Sequence, residues 1–155
     1  MSSAIDITVE YVKLLAQRLN GCEPNCVALV MLLELSVPVN YDGFEFLKSA
    51  ILLQYEDPMR DLANDIYPEI ARVCGKGVSS EMVEVSIRAA IRVAWKRSSK
   101  EVWQKYFPTI SPREVRPPTN AVVIANLGRI IELWQGCASA YIRQMDREEV
   151  SCGRK

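Results

Sequence analysis

The sequence predicts an all-α domain of six to seven helices that contains a helix-turn-helix. Apolar residues recur at i, i+3, i+4 and i+7 in several long windows, the spacing that lines one face of a helix. No stretch alternates with a period of two for long enough to form a strand, and no repeat of 20–50 residues is present. The windows are separated by turn residues such as Asn20-Gly21, Pro38, Asp42-Gly43 and Gly75-Lys76-Gly77.

Taken in order, Ile5–Leu19 forms an amphipathic helix that Asn20-Gly21 ends. Asn25 caps a second helix, Cys26–Leu35, which Val37-Pro38-Val39 stops because proline cannot donate. This is the most apolar run. Glu34 and Pro38 break it, and it is too short to span a bilayer. Tyr41-Asp42-Gly43 turns into a helix over Phe44–Tyr55, with Phe44, Leu47, Ile51 and Tyr55 inward. Asp57-Pro58 opens a further helix, since proline suits a first helical position. Tyr67-Pro68 interrupts or restarts it, and Ile66–Cys74 is a short apolar helix before the glycine turn.

Val78–Arg97 is the most informative helix. Val83, Ile87, Ala90, Ile91 and Ala94 make one apolar stripe. Glu84, Arg88, Arg92 and Lys96 make a second stripe at intervals of four. Ser79 or Ser80 caps the start. A short helix over Glu101–Phe107 follows, with Trp103 inward, and Trp95 is also read as core. Residues 108–118 hold four prolines and form an irregular surface segment. Thr119-Asn120 caps the last helix, Ala121–Tyr141, with Val123, Ile124, Leu127, Ile130, Ile131 and Trp134 inward. The polar residues 148–155 fray.

Composition narrows the function. Apolar residues make up 49% and charged residues 25%, which suits a globular domain. Nineteen basic and nineteen acidic side chains balance, which argues against non-specific coating of nucleic acid. The charge is segregated, however. The net is −7 over residues 1–71, +5 over 72–105 and +2 over 106–155. Histidine is absent, which removes the commonest general base and metal ligand. Cys22 and Cys26 are the one close cysteine pair of five cysteines. No second pair completes a zinc site, and the odd count fits reduced cytosolic thiols. The carboxylate pairs Glu56/Asp57 and Asp61/Asp65 read as solvated helix faces. No phosphate loop or catalytic dyad is visible. The expectation is a cytoplasmic protein that is not an enzyme, with no catalytic residue, cofactor or metal and no membrane partner.

Several stretches together resemble the C-terminal effector domain of the stage 0 sporulation protein A family of response regulators. They are Val37-Pro38 with Gly43–Lys48 and Ala50-Ile51; Tyr67–Ala71; Ile87-Arg88, Ala90-Ile91, Val93–Trp95 and Arg97; and Pro118–Asn120. Order and spacing agree across Leu33–Trp134. The resemblance implies a transcription regulator whose recognition helix, at about 79–97, reads double-stranded promoter DNA, often as a homodimer or tandem copies. It also implies that residues 98–116 contact RNA polymerase or its sigma factor. The expected DNA-binding residues are Ser79 and Ser80 on a phosphate, Glu84 and Arg88 toward bases, Arg92 toward a base or a phosphate, and Lys96 and Arg97 on the backbone.

The sequence departs from the family in three ways. Too few residues precede Leu33 for the family's receiver domain, so phosphorylation control is not carried over. Met82 and Val85 stand where the family commonly has arginines, and Ala89 where it often has histidine. The expected division is residues 1–25 as an N-terminal helix and loop, 26–147 as the effector domain and 148–155 as a polar tail. The alternative is a truncated interaction module that pairs with a full-length regulator or another partner and binds DNA weakly or not at all.

Overall fold

In the computed structural model, residues 23–152 are described. The expected helix Ile5–Leu19 and Cys22 lie outside them. Six α-helices and one π-helical turn make up the described chain, with no strand among its residues. They are α1 (Pro24–Glu34), α2 (Asp42–Glu56), the π-turn (Leu62–Ile66), α3 (Tyr67–Cys74), α4 (Ser80–Arg97), α5 (Lys100–Tyr106) and α6 (Asn120–Cys152).

Helix α2 is the hub. It packs against α1, α3, α4 and α6. Its Phe44, Leu47, Ala50 and Ile51 are buried, as expected for a helix whose apolar residues fall on one stripe. Tyr55 is only half-buried and donates its hydroxyl to Gln135 of α6. The inward face of α6 is the expected set from Val123 to Trp134. Its outer end differs from expectation. The helix continues past the expected end at Tyr141 to Cys152. Gly136 is accommodated within it, and no proline follows to stop it.

Helix boundaries differ where local hydrogen bonding competes with the pattern. Helix α1 begins at Pro24, not at an Asn25 cap, because proline is pre-shaped for a first turn. It ends in a Schellman pair, with Ser36 N–H to Leu33 C=O at 3.1 Å and Val37 N–H to Leu32 C=O at 3.0 Å. Ser36 takes the left-handed conformation this requires, at φ 64°.

Asp57-Pro58 does not open a helix. The Asp57 carboxylate accepts from Met59 N–H at 3.0 Å, closing a turn. Arg60 and Gln54 hold that turn through the carbonyls of Leu53 and Pro58. Asp61 opens the next element instead. Its carboxylate accepts from Asn64 N–H at 3.0 Å, while Asp61 N–H donates to the Asp65 carboxylate at 2.8 Å. The pair expected on a solvated face is therefore a reciprocal cap. Its four-residue separation accompanies a π-turn, which runs into α3 at Tyr67.

Candidate nucleic-acid interface

Helix α3, a glycine turn and α4 form a helix-turn-helix unit in which α3 packs on α4. Gly75 and Gly77 have φ of 101° and 88°, values that side chains disfavour, so glycine is required at both. Ser79 is the N-cap of α4, and its hydroxyl oxygen accepts from Met82 N–H at 3.1 Å. The hydroxyl proton remains able to donate outward. Ser80 is the first residue of the helix.

The stripe Val83, Ile87, Ala90, Ile91 and Ala94 is buried. Burying it turns the opposite face of α4 to solvent. Arg88, Arg92, Lys96 and Arg97 are exposed, and Glu84 is partly so. Arg88 forms an ion pair with Glu84 at 2.6 Å, with side chains 46% and 43% exposed. Such a pair at i, i+4 contributes about 0.3–0.5 kcal/mol, little enough for a phosphate or base to displace it. No ion pair of Arg92, Lys96 or Arg97 occurs within 4.0 Å among the described residues. Lys96 and Arg97 lie in the last turn, where the helix dipole favours cations.

Three elements are joined at α4 by Asn120, which the sequence reading treated only as a cap. Thr119 takes the capping role, accepting from Val122 N–H at 3.3 Å. The Asn120 amide donates to the Tyr67 hydroxyl at 3.3 Å and to the Glu84 carbonyl at 3.0 Å. One side chain thus ties α6 to α3 and α4. Burial raises the Tyr67 phenol above its ordinary pKa, and the Glu84 charge adds to this, while the Asn120 hydrogen bond and Arg88 oppose it.

A cleft of about 850 Å³ opens beside this junction. Asp61 and Tyr67 line one wall, Glu84, Arg88 and Arg92 another, and Arg116 to Ala121 a third. Arg116 is the residue that sequence reasoning missed. Its signal is the Arg116-Pro117-Pro118 run, which stiffens the chain just before α6.

The segment that carries Arg116 has no helix, yet it is pinned. Trp95 Nε1–H donates to the Val115 carbonyl at 3.1 Å. Lys100 Nζ donates to the Pro112 carbonyl at 3.1 Å, and Gln104 to the Ile110 carbonyl at 3.3 Å. Trp95 itself is half-buried and set edge-on to the buried Trp103, with ring centroids 5.3 Å apart. The helix that bears Arg88 and Arg92 therefore also anchors the loop that brings Arg116 beside them.

Cys26 and Cys74 are exposed free thiols. No group of three acidic, cysteine or histidine side chains fit for a metal occurs among the described residues. No helix there is long and apolar enough to cross a membrane. Residues 29–131, which include every element of this interface, match the family model described as Sporulation initiation factor Spo0A C terminal.

Proposed function

The chain belongs to the Sporulation initiation factor Spo0A C-terminal family, and from that premise we propose that α4 is a recognition helix that binds promoter DNA sequence-specifically. The family is one of DNA-binding effector domains of sporulation regulators, which regulate transcription and are not a known enzyme class.

One observation carries the finer reading. A Ser79-capped helix, fixed by a fully apolar inner stripe, presents Arg88, Arg92, Lys96 and Arg97 on its open side. Ser79 and Ser80 hold a phosphate at the helix N-terminus, where free N–H groups and the dipole attract anions. Arg88 reads a guanine through its two-pronged guanidinium. Arg92 reads an adjacent base or grips a phosphate. Glu84 orients Arg88, or accepts from a cytosine amine when Arg88 leaves it. Lys96 and Arg97 contact backbone, which sets register without reading sequence. Arg116 joins that backbone set, because the pinned loop holds it at the same cleft as Arg88 and Arg92.

Residues 98–116 are the surface offered to RNA polymerase or its sigma factor. Their support is the pinning itself, which holds exposed residues 111–116 in one arrangement. Homodimeric or tandem binding along one DNA belongs to the same proposal and draws on the family resemblance.

The test is a salt-dependent titration on a duplex selected from a random promoter pool. Arg88→Ala is expected to cost about 1–3 kcal/mol of discrimination, roughly 5- to 150-fold, at one base pair. Arg116→Ala is expected to weaken all duplexes alike and lower the salt slope by about 1. Specific binding indifferent to Arg88→Ala would sink its reading role. Failure to bind any duplex in the pool would favour the interaction module, which the Glu84–Arg88 pair and the exposed Met82 and Val85 also suit.

A further inference from the structure

The floor of the reading face on α4 is apolar. Met82 and Val85 are 51% and 50% exposed, and Ala89 is exposed. Their spacing of i, i+3 and i+7 places them on one line along a helix of 3.6 residues per turn. That line lies opposite the buried Val83, Ile87, Ala90 and Ile91, so these three side chains add nothing to the core. Arg88, Arg92 and Lys96 run along one edge, after Glu81 and Glu84 at its N-terminal end, so the cationic part of the border, beside Val85 and Ala89, suits a partner that is anionic at its edge and apolar within. The major groove of DNA has that chemistry. Its walls are phosphates, and the apolar group on its floor is the C5-methyl of thymine.

We propose that Met82, Val85 and Ala89 form a strip that reads thymine methyl groups in the major groove. The inference rests on the reading that α4 enters that groove, and names what this face reads there. Met82 and Val85 lie in the first half of α4, the part of a recognition helix that meets base edges, and Ala89 lies just past its midpoint. Val85 and Ala89 are short and let the helix approach closely, while Met82 is flexible enough to follow a methyl group. The recognised site is therefore rich in A·T pairs under the N-terminal half of α4, with guanine reading left to Arg88.

The experiment uses a duplex selected by this protein from a random pool. Each thymine is replaced in turn by deoxyuridine, which removes the methyl and keeps every hydrogen-bonding group. Fluorescence anisotropy at fixed salt reads the affinity. Two or three positions are expected to lose about fourfold each, the change that follows from uncovering one CH₂-sized group. Met82→Gln and Val85→Ser, both on the surface and checked for helicity by circular dichroism, are each expected to abolish the sensitivity at the thymine that the replaced side chain meets and to leave the salt slope unchanged. Specific binding that depends on Arg88 but ignores every uracil substitution overturns the methyl strip and leaves the recognition helix standing. Uracil sensitivity that survives both variants also overturns it. Specific binding that ignores Arg88→Ala, Arg92→Ala and both apolar variants overturns the helix assignment as well. Absence of binding to any duplex overturns both.

Discussion

Gly43 controls how closely the hub helix approaches α4, and Gly43→Ala tests that control. A Cβ at Gly43 would lie 2.1 Å from the Ser86 carbonyl oxygen and 2.8 Å from Ala90 Cβ. Ordinary contact begins at 3.4 Å, so α2 and α4 must part by about 1.3 Å there. The obstacle is helix backbone, which cannot rotate away as a side chain can. Overpacking of this kind costs about 1–3 kcal/mol, and the rigid obstacle argues for the upper end. Alanine recovers up to about 1 kcal/mol through chain entropy and helix propensity. The net expectation is a loss of about 2 kcal/mol, or about 4–8 °C in Tm for a domain of this size. Gly136→Ala is the control, because nothing lies within 4 Å of the added Cβ. It is expected to stabilise by about 0.5–1 kcal/mol. Urea unfolding followed by circular dichroism measures both, and a DNA titration reads whether α4 has moved. A Gly43→Ala protein with the midpoint and affinity of the parent would refute the idea that this contact positions the helix.

Three further outcomes follow from the same contacts. Ser79→Ala removes the cap of α4 and is expected to cost about 1 kcal/mol in urea unfolding; an unchanged midpoint would show that water replaces the hydroxyl. Asn120→Ala removes two hydrogen bonds, to the Glu84 carbonyl and the Tyr67 hydroxyl, and is expected to cost about 1–3 kcal/mol, with Asn120→Asp failing to restore the bond to the Glu84 carbonyl because a carboxylate cannot donate. The folded protein holds the Tyr67 proton more tightly than an ordinary phenol, whose pKa is about 10. The stability this gives is complete below pH 10 and is lost as the pH rises through the folded value. Tyr67→Phe is expected to flatten part of the alkaline loss of Tm, but not all, because burial also raises Tyr55.

The sequence made the inner surfaces legible and the junctions less so. Burial of Val83, Ile87, Ala90, Ile91 and Ala94 follows from a period of 3.6 alone. The glycine turn and the choice of serine caps follow from backbone chemistry that needs only neighbouring residues. Asp57 and Asp61 show where this runs out. Both are acidic residues that can cap a helix. The one that does so is decided by competing bonds, since Asp57 is engaged in its own turn with Met59, which leaves Asp61 to open the next element. Arg116 and Asn120 were hidden for a different reason. Their importance lies in reaching residues far away in the chain, Glu84 and Arg88 on α4 and Tyr67 on α3. Only the packed fold brings those together. The path of the proline segment likewise depends on Trp95, whose indole N–H is spent on Val115 across twenty residues.

A net charge of zero does not oppose DNA binding once the charges are placed. The acidic excess of −7 falls in residues 1–71, whereas α4 lies within the stretch that carries +5. Screening confines a charge to roughly 8 Å at physiological salt, so phosphates near α4 respond to that face and only weakly to the rest of the molecule. A net charge of zero lowers the non-specific affinity that a uniformly basic domain would have. Under the binding mode proposed above, discrimination is left to short-range contacts such as that of the Arg88 guanidinium. Under this arrangement the salt slope counts the cations of one face. Charge reversals on distant acidic residues should alter association rate and orientation while leaving that slope nearly unchanged.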